Sequence, residues 1–465
     1  MDMSQKLAEY VLGYSFQDMS DEEIHAVKRA LLDMLACAIG GYPSDSSKII
    51  RNLIEEQGGK QEATVIGSGT KVPCANAAFA NGTMVRYLDY NDTYWRMSGK
   101  FRFGVHPNEF IPATLAVGER QHSSGKEIIT SIMLSYDLAA RFIDATSRLP
   151  LDNRGWHYST IAGFVVPLYV GKLLKLSQEQ LIHALGIAGV HSATLGIIDA
   201  SGELYNMTKN IGLPQIAHNG IMAALLAQQG FTGPGRVIEG NRGFVSTIMG
   251  GDYDLKILTT PREQAAILQT DIKGLAAEHT TQGALNAVLK LVKDHDLLPD
   301  QIASIQIEAT TRTAEHTGDP AKRHPQDKET ADHSLYYLVA VAIIDGVVGP
   351  GQYTEDKLKS PQIHSLIDKI TVEANPELDA FVQAGIAHID TTDGRTLSCR
   401  VDYPKGNHCN PLTDEELAEK FRGVTLPLFG EEQTQRIVDC VYRLERLDDI
   451  AELNSLTVCS SPVDV

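Results

Sequence analysis

Five short segments of the chain combine acidic, basic and hydroxyl side chains in ways that could support proton transfer and anion binding. In the first, NGTMVRYLDYNDT, two carboxylates and a hydroxyl fall close together, and HPNEF follows with an imidazole. Asp89, Thr93 and His106 could together move a proton and hydrogen-bond an oxyanion. Asp92-Thr93 equally suits a helix cap or an Asx turn, so the spacing alone leaves both interpretations open.

The second and third segments place a histidine and a lysine near the start of a helix. His157 in RGWHYSTIAG precedes two hydroxyl residues and an apolar run, where an imidazole can act as a base, an acid or an anion ligand. Lys209 in NMTKNIGLPQ precedes a helix expected around Pro214, and a cation beside a helix N-terminus suits a carboxylate ligand. The alternatives are a hydrogen-bonded, partly buried histidine and a solvated lysine.

The fourth and fifth segments lie in the second half of the chain. IKGLAAEHTTQG carries Lys273 and His279, and ETADHSLYY carries His333 and Tyr337. A tyrosine four residues after a histidine on one helix shares its face, so His333 and Tyr337 could reach one ligand. The alternative is that Tyr337 packs under the following VAVAII run. HExxH, nucleophile-elbow, Walker and strand-linked GxGxxG motifs are missing from the sequence, which leaves metallopeptidase, serine hydrolase, NTPase and dinucleotide-binding functions without support.

Helices are expected to position most of these side chains. From Asp21, apolar residues recur at helical spacing behind a capping-box pattern, and two glycines end the run. Ser177 to Gln180 opens a second such helix, and Pro214 suits the first turn of a third. Much of residues 1 to about 265 is therefore predicted to be helical.

The pattern changes after Pro261. IASIQIEATT, KITVEANPEL and the pair AHIDTT and LSCRVDY predict strands, and Asp393-Gly394 predicts a hairpin turn between the last two. The helical pattern resumes in TDEELAEKF. We predict a mainly α protein with a large all-helical domain, residues 1–268 and 405–465, and a smaller α+β lid domain, residues 269–404.

Composition narrows the class of protein. The formal charge of −18 argues against binding to nucleic acid or to an anionic membrane, because both reward clustered Lys and Arg. Six cysteines without a C-x-x-C pair read as reduced thiols and not as metal ligands. The N-terminus lacks the features of a signal peptide, and no apolar run is long enough to span a bilayer, so we expect a cytoplasmic protein.

In their order and spacing, these segments resemble the MmgE/PrpD family, the group typified by 2-methylcitrate dehydratase. The resemblance is carried by NG, LDYNDT and HP, then by GWH, GFTGP-x-x-x-x-EG, HS-x-x-Y and NPLTDEELAEKF, and it covers nearly the whole chain. It implies a helical domain built from both chain ends, an inserted lid domain and, usually, a homodimer. It also implies an enzyme that uses neither a metal nor a cofactor.

The resemblance implies an active site in a cleft between the two domains. The residues expected there are Asp89, His106, His157 and Tyr337 as catalytic groups, and Thr93, Lys209 and Lys273 as substrate-binding groups. The expected activity is that of a lyase on a small polycarboxylate. LDYNDT and AEHTTQ favour dehydration of a 2-methylcitrate-like or citrate-like substrate. Decarboxylation of cis-aconitate, epimerisation of a dicarboxylate and carboxylate binding without catalysis are the alternatives.

Two stretches depart from the family pattern. The segment from Gly274 to Ala276 lacks the usual proline. YWRMSGKFRFGV, between Thr93 and His106, is longer and more basic than the resemblance leads us to expect. Arg96, Lys100 and Arg102 in this stretch either add a carboxylate clamp or belong to a solvated loop.

Overall fold

The computed structural model describes residues 2–99, 101–200, 203, 205–251 and 253–459. Within these residues the protein is mainly helical. The α-helices are α1 Met3–Gly13, α2 Asp21–Gly41, α3 Asp45–Gln57, α4 Cys74–Tyr87, α5 Ile111–Gln121, α6 Gly125–Asp144, α7 Ala162–Leu173, α8 Gln178–Gly189, α9 Gly212–Gln228, α10 Phe244–Thr247, α11 Gln282–Asp294, α12 Thr311–His316, α13 Lys328–Ala331, α14 Leu335–Asp345, α15 Glu355–Leu358, α16 Pro361–Ile367, α17 Asp414–Tyr442 and α18 Ala451–Leu456. The strands are β1 Ala63–Thr64, β2 Lys71–Val72, β3 Tyr94–Ser98, β4 Phe101–Val105, β5 Ile302–Ala309, β6 Ile370–Ala374, β7 Gly385–Thr391 and β8 Thr396–Val401.

The helix starts read from the sequence are confirmed. Helix α2 begins behind the Ser20 cap, whose side chain accepts from the Glu23 backbone N–H while Glu23 caps Ser20 in return. The same reciprocal box opens α8 at Ser177 and α17 at Thr413. Each box satisfies N–H groups that a helix end would otherwise leave unpaired, which contributes about 1 kcal/mol.

The helical core forms around α2, α4, α9 and α7, in which α2 packs on α4, α4 on α9 and α9 on α7. Helices α2 and α4 approach so closely that a Cβ on Gly41 would lie 2.2 Å from the Met84 carbonyl oxygen. Helix α17, near the end of the chain, packs on α2. The chain therefore returns to its N-terminal helices after the sheet, although the boundaries of the two expected domains stay a prediction.

A four-stranded sheet in the order β6-β5-β7-β8 forms the β part of the protein. Strands β5 and β6 are parallel, and the other neighbours are antiparallel. Helix α11 packs on β7 and β8. The β7–β8 turn uses Gly394 at φ +90°, a conformation that favours glycine. The predicted strands and the mainly α class with a smaller α+β part are confirmed.

The basic stretch between Thr93 and His106 is a hairpin and not a loop. Strands β3 and β4 pair in antiparallel register from Tyr94 with Val105 to Ser98 with Phe101. Gly99, at φ +58°, lies in the turn, while Lys100 lies outside the described residues. In the sequence, the alternation of aromatic and basic residues on both sides of Ser-Gly is the pattern that indicates this hairpin.

Two further predictions concern the state of the cysteines and the hydropathy of the helices. All six cysteines lie within the described residues and are free thiols. Three of them are buried. Among the described residues, the helices are too short or too polar for any of them to cross a membrane.

Candidate active site

A cavity of about 470 Å³ lies between the helical part and the sheet-containing part of the chain. Its wall is charged and rich in histidine. Imidazole, guanidinium and carboxylate groups from both parts contribute to it, namely His106, His157, His279, His316, His333, Arg86, Arg102, Arg312, Asp89, Asp199 and Glu278. A cavity of this size and polarity suits a small ligand held by several directed polar contacts.

Asp89 is the centre of a buried charge cluster at this wall. It follows α4 with φ +48°, in the left-handed region that Asp and Asn tolerate better than most residues. Its Oδ2 atom lies 3.0 Å from Arg86 Nη1 and 2.9 Å from Lys209 Nζ, and its Oδ1 atom lies 2.5 Å from Lys273 Nζ. Burial alone would raise the pKa of Asp89, but the three cations outweigh burial and hold that pKa well below its ordinary value. Asp89 is therefore a carboxylate in the folded protein.

The two predicted substrate-binding lysines lie behind Asp89 and do not line the cavity. Lys273 Nζ also donates to the Asp89 carbonyl oxygen at 2.7 Å, and burial lowers the pKa of Lys273 although Asp89 opposes that change. Lys209 Nζ lies 3.8 Å from Asp332, and Asp332 and Asp89 together raise the pKa of Lys209 against the effect of burial. Both lysines therefore act beside the cavity as partners of Asp89, in a cluster where three cations surround that carboxylate.

His106 carries a basic nitrogen. Its Nδ1 lies 2.8 Å from the carbonyl oxygen of Asp92, and because a carbonyl can only accept, Nδ1 must carry the hydrogen. Burial, followed by the charges of Arg86 and Lys273, lowers the pKa of His106 well below its ordinary value. The imidazole is therefore neutral at neutral pH, with an unprotonated Nε2.

His157 has the opposite tautomer. It caps the short 3-10 turn Tyr158–Ile161, where its Nδ1 accepts the backbone N–H of Ser159 at 3.3 Å. The same Nδ1 lies 2.8 Å from the Ser159 hydroxyl, which can donate to it as well. Burial lowers the pKa of His157 to about 4, so the neutral ring must carry its hydrogen on Nε2. The cavity wall thus presents one imidazole that can accept a proton and one that can donate one.

The structure does not bring Tyr337 or Thr93 to the cavity wall. Tyr337 is fully buried and donates to the Gln352 carbonyl oxygen at 2.5 Å. Helix α14 begins only after the Ser334 cap, so His333 lies outside the helix and does not share a face with Tyr337. Thr93 is also buried, and its backbone pairs with Asp271; its hydroxyl has no hydrogen-bond partner among the described residues.

We expect Tyr337→Phe to leave turnover unchanged. The substitution removes one buried hydrogen bond to Gln352 and should lower the free energy of unfolding by about 1 to 2 kcal/mol. Steady-state kinetics and thermal unfolding on the same preparation measure both effects. A loss of turnover of 100-fold or more, with stability unchanged, would place Tyr337 at the reacting atoms after all.

Several cavity residues were not singled out from the sequence. Arg86 lies in a helix with a small-residue face, and His316 and Asp199 stand in segments without a recognisable motif. His316 comes from α12 and Asp199 from the 3-10 turn Gly196–Asp199, so only the folded chain brings them together. Neither residue has a sequence neighbour that would have indicated a ligand.

Within the part of the chain that the structure describes, two groups of side chains have donor atoms close enough to hold a metal ion. They are Asp199 with His316 and His333, and Asp89 with Asp332 and His333. Lys209 Nζ lies 3.3 Å from the His333 ring, and Lys322 Nζ donates to the Tyr205 hydroxyl, which lies 3.2 Å from His316. Positive charge at both groups favours an anionic ligand over a cation. The expectation that the protein uses no metal stays a prediction.

Glu109 lies behind the wall as a carboxyl group with a raised pKa. Its Oε1 accepts from Tyr158 at 2.9 Å and from Asn91 at 3.2 Å, and it lies 3.4 Å from Arg86 Nε. Its Oε2 has no hydrogen-bond partner among the described residues. Burial raises the pKa of Glu109 from 4.5 to about 7 because Arg86 only partly offsets it.

We therefore expect Glu109 to make the protein less stable as the pH rises. An acid whose pKa is higher in the folded than in the unfolded state contributes stability below the unfolded pKa and loses it as the pH rises through the folded pKa. Between pH 4.5 and pH 8 the loss should approach roughly 3 kcal/mol. Glu109→Gln stays neutral, so its stability relative to the wild type should improve by that amount across this window. Denaturant unfolding at several pH values measures it, and a constant difference would contradict the raised pKa.

Fold and site together define a two-part, mainly helical protein with a histidine-lined cleft beside the charge cluster of Asp89. The chain belongs to the MmgE/PrpD family. The sequence profile of the MmgE/PrpD N-terminal domain matches residues 5–256, and that of the MmgE/PrpD C-terminal domain matches residues 275–446.

Characterised relatives align with almost the full length of the chain. The cis-aconitate decarboxylase of Aspergillus terreus is 24% identical over 98% of this chain and 95% of its own length. The human cis-aconitate decarboxylase is 24% identical over 100% of this chain and 96% of its own length. The 2-methylcitrate dehydratase of Salmonella typhimurium is 22% identical over 96% of this chain and 94% of its own length.

Proposed function

We propose that this protein is a lyase that acts on a small polycarboxylate, and that it removes water from a substrate of the 2-methylcitrate or citrate kind. The observation that carries the proposal is the pair of opposite tautomers at His106 and His157. Both rings line the cavity that Asp89 also lines. Proton removal and hydroxyl departure need one acceptor and one donor of this kind.

The reaction follows from these groups. Nε2 of His106 takes a proton from the carbon beside a substrate carboxylate, the electron pair forms the C=C bond, and the C–O bond breaks as the hydroxyl leaves as water with the proton of His157 Nε2. The proton held by His106 then passes to His157, so both rings end neutral. Negative charge develops on a substrate that is already anionic. The positive charge gathered around Asp89 stabilises that state, and such preorganised charge is often the largest contribution to catalysis.

Decarboxylation of a cis-aconitate-like substrate is the second candidate, and it is supported by the decarboxylases among the relatives. In this reaction the bond to one carboxylate breaks, CO₂ leaves, and the electron pair moves along the double bond to a carbon that takes a proton. His157 Nε2 can supply that proton and regains one from water, so the ring ends neutral. Decarboxylation therefore uses the donor, whereas dehydration uses both imidazoles.

We also propose a homodimer, as the family resemblance implies. Exposed apolar side chains on and after α8 and α9 support it, including Val190, Leu195, Met222 and Phe231. Large apolar side chains left exposed to solvent are common at protein interfaces. Light scattering on the purified protein gives the subunit number.

An assay with 2-methylcitrate, citrate, isocitrate and cis-aconitate tests the function. Ultraviolet absorbance follows the conjugated double bond, and a coupled assay follows CO₂. An unsaturated product without CO₂ supports dehydration, whereas CO₂ from cis-aconitate supports decarboxylation. Tight binding of these acids without any product would contradict a lyase and leave a carboxylate-binding protein.

A further inference from the structure

We propose that Arg102, presented by the β3–β4 hairpin, binds one carboxylate of the substrate and makes the enzyme selective for substrates that carry a carboxylate at that position. The inference rests on the proposed function and deepens it. Arg102 lines the cavity but has no contact with the Asp89 cluster among the described residues. It would therefore bind a carboxylate group other than the one nearest Asp89.

The hairpin holds Arg102 on a rigid arm. Five residue pairs join its strands. At its base, Thr93 exchanges backbone hydrogen bonds with Asp271 at 2.8 Å in both directions. The Tyr94 hydroxyl donates to Asp144 at 2.9 Å. A side chain on an arm fixed at these points keeps a defined position, which a selective contact needs.

Neighbouring side chains fix the guanidinium group of Arg102 but use only some of its N–H donors. It lies 4.4 Å from the centre of the Trp95 ring, and its Nη1 lies 3.2 Å from His279 Nε2. Its side chain is only 13% exposed. A guanidinium group has five N–H donors, and His279 takes one of them. Among the described residues, Glu278 at 3.9 Å is its acidic neighbour.

The carboxylate oxygens of Glu278 already have other hydrogen-bond partners. Glu278 accepts the Thr280 backbone N–H at 2.8 Å and lies 3.1 Å from His279 Nδ1. His279 Nδ1 donates to Glu278, so His279 Nε2 is free to accept from Arg102. Burial lowers the pKa of His279 to about 4, and the ring is neutral at neutral pH. His279 therefore orients Arg102, Glu278 at 3.9 Å partly offsets its charge, and N–H donors of the guanidinium group remain for another ligand.

A carboxylate is the ligand that fits this group. The planar fork of an arginine matches two carboxylate oxygens, and a fork that is already oriented loses little entropy on binding. The exposed Arg312 lines the same cavity and adds positive charge near Arg102. Arg102 thus provides a second cationic position for a polycarboxylate, apart from the Asp89 cluster.

Calorimetry with three unreactive acids tests this proposal. Tricarballylate carries three carboxylates, glutarate lacks its central one, and 2-methylsuccinate lacks a terminal one. The wild type should bind tricarballylate at least 10-fold more tightly than one of the two dicarboxylates. Arg102→Met should lose that advantage and bind the same dicarboxylate as the wild type does. Arg102→Lys keeps the charge without the fork and should fall between them.

Arg96→Met is the matched control. Arg96 lies on the same hairpin but stacks on Tyr94 and donates to Gln269 at 2.7 Å. The Arg96→Met variant should therefore bind all three acids as the wild type does. Unchanged tricarballylate binding by Arg102→Met, with the wild type active in the lyase assay, would overturn this inference alone. A wild type that neither binds these acids nor turns over any substrate would overturn the proposed function as well.

Discussion

Lys273→Met should destabilise the folded protein by about 3 to 5 kcal/mol and abolish turnover. The substitution removes an ammonium group that pairs with both the side chain and the backbone carbonyl of Asp89. A buried carboxylate that loses a partner retains its desolvation penalty, and breaking a buried pair from one side typically costs this much.

A double-mutant cycle separates the charge pair from packing. Asp89→Asn keeps the left-handed backbone at φ +48°, because asparagine tolerates it, and removes the charge that Lys273 compensates. The stability cost of Asp89→Asn and Lys273→Met combined should therefore be smaller than the sum of the two single costs, by a coupling energy above about 1 kcal/mol. Both variants should remain inactive, since Arg86 and Lys209 would then lack their shared partner.

Lys290→Met is the matched control for these measurements. Lys290 pairs with Asp294 on the surface of α11, where an exposed pair contributes little. Its thermal unfolding and turnover should equal those of the wild type. Wild-type stability in Lys273→Met would show that the ammonium group does not compensate Asp89, and the charged-cluster interpretation would have to be abandoned.

His106→Asn should lower kcat by about 100-fold to 10,000-fold, the range expected when a general base is lost. Asparagine can place its amide nitrogen near the position of the imidazole Nδ1. It can therefore still donate to the Asp92 carbonyl oxygen and preserve the local structure. The main effect of the substitution is then the loss of the basic Nε2 atom of His106. Far-UV circular dichroism and thermal unfolding confirm that the fold is retained.

His157→Asn is the companion variant. Its side-chain oxygen can still accept the Ser159 N–H, so the cap of the 3-10 turn survives while the Nε2 hydrogen is lost. If the reaction is dehydration, His106→Asn and His157→Asn should both lower kcat strongly. If it is decarboxylation, His157→Asn should have much the larger effect. Full turnover in both variants would remove the two histidines from the mechanism.

Local patterns were enough to predict the elements of the fold. Capping boxes, apolar periodicity and the Asp393-Gly394 turn predict the starts of α2, α8 and α17 and the β7–β8 hairpin, because those features act between residues a few positions apart. The order of the motifs was enough to indicate the family. The positive charge of the β3–β4 segment suggests a solvated loop or a carboxylate clamp. Only the alternation of its aromatic and basic residues indicates a pair of strands.

The sequence by itself determined which chemical groups are available: the histidines of HPNEF, GWHYS and ADHS, the lysines before Pro214 and in IKGLAAEH, and the acidic LDYNDT segment. Only the tertiary structure decided what each group does. Tautomers and pKa values depend on contacts and burial, so the donor role of His157 and the acceptor role of His106 follow from the Ser159 amide and the Asp92 carbonyl. Likewise, the place of both lysines behind Asp89 depends on pairings across 120 and 184 residues of chain, distances at which no local pattern in the sequence carries information.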